Sequence, residues 1–261
     1  MGVLDEIVAH KRSELAALKP QRPLADLIAA CRGLSPARDF EAALRPGAGE
    51  RVRLIAEVKR GSPSQGLFRA DLDPVAQATT YAGAGAAAVS VLTDARYFHG
   101  RLEDLVRIRG AVSVPVLRKE FIVDEYQLWE ARAAGADAVL LIVAALEDAA
   151  LRDLLHAAKG AGLATLVEVH TAGELDRALR LGAPVIGVNN RDLQTLVTSL
   201  EPSLHLLPQI PPGPVAVSES GLASGADVAR VVAAGAHAVL VGETLLRAAD
   251  VAAKVRELSL R

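Results

Sequence analysis

Eight short apolar segments run through this chain, and nearly all of them stop at or beside a polar residue able to do chemistry. They close in Glu57-Val58-Lys59, Leu92-Thr93-Asp94, Arg118-Lys119-Glu120, Leu141-Ile142-Val143, Glu168-Val169-His170, Asn189-Asn190-Arg191, Glu219-Ser220-Gly221 and Gly242-Glu243. A strand core needs no charge at its end, and a buried ammonium or carboxylate is costly unless paired or used. The recurrence of that exception points to one shared site. On an extended strand Ile55, Glu57 and Lys59 share a face, as do Leu117 with Lys119, Leu166 with Glu168, and Val185 with Gly187 and Asn189. If the apolar members fill an interior, Glu57, Glu168 and Glu219 meet Lys59, Lys119 and Arg191 at its mouth. Carboxylates and cations that alternate can hold one another's charge and still exchange protons. The plainer alternative is a set of salt bridges tying strand ends together, and it is strongest for Arg191.

The elements that must place these residues follow from a repeated pattern, a helix ending in Gly-Ala before an apolar strand. It recurs at Gly85-Ala86, Gly135-Ala136, Gly182-Ala183 and Gly235-Ala236. A glycine just past a helix supplies the left-handed cap that other residues resist. Gly83-Ala84-Gly85-Ala86-Ala87-Ala88 also satisfies a dinucleotide-binding pattern, but it closes a helix instead of opening one, so it reads as a cap. Strand centres fall near Ile55, Val89, Val116, Leu140, Val167, Ile186, Val217 and Leu240, with helices such as Pro74–Tyr81, Glu125–Ala134, Leu146–Lys159 and Glu174–Leu181 between them. A recurrence of ~20–33 residues is the rhythm of an α/β fold of the (β/α)8 TIM-barrel type. Such a barrel keeps its site at the carboxyl ends of the strands.

A barrel gives two glycine-bearing turns a further meaning. Glu219-Ser220-Gly221 and Gly242-Glu243-Thr244 follow strands seven and eight, where many barrels bind phosphate through backbone N–H groups. Strand one adds the hydroxyl-rich Ser62-Pro63-Ser64-Gln65-Gly66. Each alone could be ordinary turn punctuation, but the three converge at one edge of the mouth.

About 50 residues precede the first strand. Val3–Lys19 carries Leu4, Ile7, Val8, Leu15 and Leu18 at helical spacing, and Leu24–Cys31 reads as a second amphipathic helix. The stripes must cover an end of the barrel, either its bottom as a plug or its mouth as a cap. The expected organisation is a single barrel domain over 1–261, with residues 1–50 as the extension and 51–261 as the barrel.

Bulk properties exclude other classes. Of the 261 residues 51% are hydrophobic and 23% charged, with net charge −2. That balance suits a soluble globular protein and argues against nucleic acid or an acidic membrane as partner. No apolar run reaches the ~18 residues of a membrane span. The one cysteine, Cys31, excludes an internal disulfide framework, fits a reducing cytoplasm and reads as a core filler. Six histidines show no metal spacing, so no metal is expected.

These segments together resemble one family, the indole-3-glycerol phosphate synthases, from Val3-Leu4-Asp5-Glu6-Ile7 to Gly242-Glu243. The stretches that carry it are Ile55–Arg60 with Ser62-Pro63-Ser64, Ser90–Asp94, Val116–Asp124, Val167–His170, Ile186–Leu193 and Ser218–Gly221. The resemblance implies a phosphosugar-anthranilate substrate, 1-(2-carboxyphenylamino)-1-deoxyribulose 5-phosphate, whose ring closes with loss of carbon dioxide and then water. It implies no cofactor, because the aromatic ring is itself the nucleophile. Lys119 matches the family's general acid, Lys59 the lysine that holds the substrate carboxylate, and Glu168 the acid/base of the later step. Glu57, Asn189, Glu219 and Ser220 match polar orienting residues. Phe98 matches a ring contact and Arg191 an edge support, while Ser62, Gly221, Gly242 and Glu243 remain the phosphate-side candidates from the turns above. After Tyr97-Phe98 the loop reads His99-Gly100-Arg101, a departure where a small polar residue is expected after the glycine. A monomer or weak dimer is expected. The rival readings are a phosphosugar isomerase, for which Cys31 is misplaced, a Schiff-base aldolase using a strand-end lysine, and a non-catalytic phosphate sensor.

Overall fold

The computed structural model describes residues 2–62, 66–67, 72–192 and 195–260, without the side chains of Ser62 and Leu67. Three helices come first, α1 (Val3–Leu18), α2 (Leu24–Cys31) and α3 (Phe40–Leu44). Strand β1 (Arg53–Val58) follows, then a two-stranded hairpin of β2 (Gly61–Ser62) and β3 (Gly66–Leu67). The chain continues through α4 (Pro74–Gly83), β4 (Ala88–Leu92), α5 (Ala95–Phe98), α6 (Leu102–Ala111), β5 (Val116–Lys119), α7 (Glu125–Ala133) and β6 (Ala138–Ile142). Next come α8 (Asp148–Gly160), β7 (Ala164–Val169), α9 (Ala172–Arg180), β8 (Val185–Asn189), α10 (Glu201–Leu206) and β9 (Val215–Glu219). The last elements are α11 (Gly225–Ala233), β10 (Ala238–Val241), α12 (Glu243–Arg247) and α13 (Val251–Leu258).

Eight parallel strands close into a barrel in the order β1-β10-β9-β8-β7-β6-β5-β4. Each strand lies near one of the eight centres expected from the sequence. Alternation divides their side chains as a closed parallel sheet requires. Ile55, Leu117, Leu140, Leu166, Val185, Val217 and Leu240 fill the lumen, whereas Leu54, Ala56, Val139, Val167 and Ile186 pack outward beneath the helices.

Local chemistry sets the helix ends. The side chains of Asp73, Asp94, Asp124, Thr171, Ser224 and Asp250 accept hydrogen bonds from the first-turn N–H groups of α4, α5, α7, α9, α11 and α13. Gly85, Gly135, Gly182 and Gly235 all adopt positive φ just after their helices. The glycine-rich stretch at 83–88 therefore ends α4 and enters β4, as a cap does. Cys31 is half-buried, its Sγ 3.6 Å from the Trp129 carbonyl of α7. No helix among the described residues is long and apolar enough to cross a membrane.

The N-terminal extension covers both ends of the barrel. Val3, Leu4 and Ile7 of α1 line a cavity above the strands' carboxyl ends. Helix α2 packs beside α7 on the flank, where Leu27 and Tyr126 join one small cluster. Arg38 then passes beneath, its N–H donating to Asp137 Oδ1 at 2.7 Å and its guanidinium to the Val114 carbonyl at 2.7 Å. Phe40 and Leu44 of α3 enter the lumen at the opposite end, alongside Ala88, Val215 and Ala238 from the starts of three strands. Cap and plug, posed as alternatives from the sequence, are thus two parts of one segment.

Candidate active site

The strand ends converge on one cavity of about 650 Å³ at the carboxyl face. Lys119, the last residue of β5, lines it. Its Nζ lies 3.2 Å from Glu57 Oε2 of β1 and 3.1 Å from Glu219 Oε2 of β9. Glu57 Oε1 is in turn 3.1 Å from Lys59 Nζ. Lys59, Glu57, Lys119 and Glu219 therefore form an alternating line of charge, as the strand pattern predicts.

Burial and partners act in opposite directions on these groups. Burial disfavours a charged Glu57, but Lys119 and Lys59 outweigh it and hold the carboxyl at about 2. Burial also opposes the Lys119 ammonium, and Glu57, Glu219 and Glu168 overcome that and raise its affinity for the proton. Glu219 has only Lys119 in its favour, with Glu168 and Glu57 nearby, so burial prevails and pushes it up to about 7. Two glutamates on one lysine are thereby driven in opposite directions.

Two glycines make room for this arrangement. A Cβ on Gly187 would stand 2.0 Å from Glu219 Oε1, and one on Gly242 would stand 2.4 Å from Glu57 Oε1. Gly242, expected to approach a phosphate, clears space for a carboxylate. Glu219 is fully buried behind Lys119 and is not part of the cavity wall.

Phe98, Glu168, Asn189, Arg191, Ser220, Gly221, Gly242 and Glu243 line the same cavity. Asn189, at the end of β8, is buried in register with Glu219 and accepts a hydrogen bond from the Arg191 N–H at 3.0 Å. Arg191 stands apart from the lysines, because it follows β8 and reaches outward to Glu243, 3.7 Å away, which also accepts from Arg247 at 3.0 Å. Ser220 and Gly221 adopt consecutive left-handed conformations, φ 67° and 76°. The Asn190 amide secures that turn by donating to the Ser220 carbonyl at 3.0 Å and to Ser218 Oγ at 3.1 Å. Thr244 Oγ1 donates to the Leu222 carbonyl at 2.7 Å, tying the turn after β10 to the turn after β9. Ser62 pairs with Gly66 in the hairpin beside β1, while residues 63–65 of its loop lie outside the described residues.

An apolar wall faces these polar groups. Phe98 and Phe121 have ring centroids 6.0 Å apart, with Leu140, Ile142, Leu4 and Ile7 beside them. At the departure in the loop, His99 takes a left-handed turn and Gly100 packs against the Leu92 carbonyl. Arg101 there is the residue that precedes α6.

Two polar residues of this region were not among the candidates. Lys11 of α1 is buried, with Nζ 2.8 Å from Asp94 Oδ2, 2.8 Å from Glu14 Oε2 and 3.3 Å from Glu120 Oε1. Its signal was legible, since position 11 continues the stripe of Leu4, Ile7 and Leu15. His170 lies two residues beyond Glu168, hence on the same face, with Nε2 3.5 Å from Glu168 Oε1.

Fold and site together define a barrel of the (β/α)8 class with paired lysines and glutamates and two glycine-bearing turns at its mouth. Solved structures show that fold again at low identity. The thiamine phosphate pyrophosphorylase of Pyrococcus furiosus superposes with TM-score 0.61 at 17% identity, over 81% of this chain and 96% of its own. A 3-hexulose-6-phosphate synthase gives 0.65 at 18%, over 80% and 99%. Sequence comparison is more specific. The family model for indole-3-glycerol phosphate synthase matches residues 4–258. Relatives of that name are 50% identical in Laribacter hongkongensis, over 98% of both chains, and 51% identical in Acidithiobacillus ferrooxidans, over 95% of both. The chain belongs to the indole-3-glycerol phosphate synthase family.

Proposed function

We propose that this chain is a carbon–carbon lyase of tryptophan biosynthesis that closes 1-(2-carboxyphenylamino)-1-deoxyribulose 5-phosphate to indole-3-glycerol phosphate, releasing carbon dioxide and water. The observation that carries the reading is Lys119, an ammonium held between two buried carboxylates at the edge of an apolar cavity. The aromatic carbon bearing the carboxylate attacks the ketone, and the oxygen that develops negative charge is far more basic than an amine. Lys119 gives it a proton even though Glu57 and Glu219 make that proton harder to lose. Lys59 holds the departing carboxylate, and Glu168 serves as acid/base in the dehydration.

Glu57 and Glu219 orient the lysines, Asn189 and Ser220 the substrate's polar groups, and Phe98 the ring. Gly221, Gly242 and Ser62 form the phosphate side, with Arg191 and Glu243 as its charged edge. A substrate with a phosphate, a carboxylate and a flat neutral ring suits a cavity of this size, lined by lysines, arginines and carboxylates and by an apolar wall. The enzyme acts in the cytoplasm as a monomer or weak dimer, one barrel domain with residues 1–50 as its extension. It needs no metal, cofactor, nucleic acid or membrane partner. Indole fluorescence from the synthetic substrate tests the activity. Absence of product, or an adduct trapped by borohydride with a keto-sugar phosphate, would favour a rival barrel chemistry.

A further inference from the structure

Proton balance makes a demand that the lysines alone do not meet. In the proposed reaction the new carbon–carbon bond turns the ketone oxygen into a hydroxyl, which takes up one proton. Carbon dioxide then departs and leaves its bonding electron pair in the ring, with no proton released. In dehydration the hydroxyl takes a second proton and leaves as water, and the carbon beside the nitrogen gives one back. Each turnover therefore consumes one proton from solvent. A bound substrate fills the mouth above Lys59 and Lys119, so that proton needs another way in.

We propose that His170 and Glu174 form this path and recharge Glu168, the buried acid/base group. Glu168 is 1% exposed, and its Oε2 has no hydrogen-bond partner among the described residues. His170 Nε2 is likewise buried without one, and it faces Glu168 Oε1 at 3.5 Å. On the far side of the ring, Nδ1 is 3.3 Å from Glu174 Oε2, which also accepts the His170 backbone N–H at 2.8 Å. Glu174, in the first turn of α9, is only partly buried and meets solvent.

The order from outside to inside is therefore carboxylate, imidazole, carboxylate. With Nδ1–H committed to Glu174, neutral His170 presents a lone pair to Glu168, and protonated His170 presents an N–H. The titratable groups facing the ring are Glu174 from α9, Glu168 from its own strand and Glu219 from β9. All are carboxyls, and despite burial they favour a protonated imidazole. His170 and Glu174 touch no reacting atom; they position and supply Glu168.

This inference rests on the proposed reaction, and rapid-quench assays of the full chain with the synthetic substrate separate the two. Wild type that makes no indole refutes the reaction itself. With indole formed, His170→Asn should complete its first turnover at the wild-type rate, because Lys119 already carries a proton and the relay only replaces what turnover consumes. Later turnovers should slow by roughly tenfold to a hundredfold, the lower range for a proton-transfer group, more severely above neutral pH, and added imidazole should restore speed. Equal slowing of first and later turnovers, without imidazole rescue, would overturn the relay in favour of a structural histidine. So would unchanged turnover. Glu174→Gln, which keeps an acceptor for the His170 N–H, should show the same split and serves if His170→Asn does not fold.

Discussion

Glu57 and Glu219 are the same residue type beside the same lysine, yet their effects on stability should have opposite signs. Glu57 is held at about 2, below its ordinary 4.5, so its contribution is present above pH 4.5 and fades as pH falls toward 2. Glu57→Gln should therefore lower the melting temperature at pH 7, with the gap to wild type narrowing in acid. Glu219 is raised to about 7, so its contribution is present below pH 4.5 and is lost as pH rises through 7. Glu219→Gln, which mimics the neutral acid, should melt higher than wild type at pH 8 and show little difference at pH 5. Melting curves across pH check both, and shifts of the same sign would contradict the unequal sharing of Lys119. For Lys119→Met, turnover should drop at least ~10²-fold while substrate still binds through its phosphate and carboxylate. Near wild-type turnover would remove that lysine from the chemistry.

Among the elements, α1 and α3 belong to one extension but should fail in different ways. Lys11 joins α1 to Asp94, and Asp94 caps α5 by accepting from the Tyr97 N–H at 2.6 Å and the Phe98 N–H at 3.3 Å. The same ammonium reaches Glu120, next to Phe121. Removing one partner from a buried ion pair leaves charges uncompensated, so Lys11→Met should loosen both aromatic rings at once. The Michaelis constant should rise more than turnover falls, measured well below the melting temperature. Phe40→Ala instead empties a site at the bottom of the lumen, costing about 3–5 kcal/mol of stability. Its Michaelis constant should stay unchanged in the folded enzyme. If the two variants gave the same kinetic profile, the assignment of α1 to the mouth and α3 to the floor would fail.

At the scale of the whole molecule, the turns after β9 and β10 are tied together through Thr244 and Leu222, and they are the anion site in the proposed function. Sulfate or inorganic phosphate should stabilise the wild type by mass action, by about 2.7 kcal/mol at a concentration of one hundred dissociation constants, and so raise its melting temperature. Gly221→Asp should lose that increment. It brings a carboxylate to the anion and a side chain to a left-handed position, where a Cβ would stand 2.8 Å from Thr198 Cγ2. The comparison is between shifts on adding ligand, so a lower starting temperature does not obscure it. Full protection of the variant would place the anion elsewhere in the mouth.

Strand number, barrel class and the roster of mouth residues were legible in the sequence because they follow from local rules. Period-two alternation put Glu57, Lys59, Lys119, Glu168 and Asn189 on the face that their apolar neighbours fill, and cap chemistry marked the helix ends. What each residue does to the next was not legible, because it depends on distances across strands far apart in the chain. The alternation did not show that Glu57 serves two lysines and Glu219 one, nor that Gly187 and Gly242 are small to admit those two carboxylates. It did not show that Arg191 turns away to Glu243. Lys11 on an apolar stripe and His170 two places after Glu168 were visible signals without visible partners. The extension's course over both ends of the barrel was decided by packing alone: an amphipathic stripe states that a surface is covered, and only the tertiary structure determines which one.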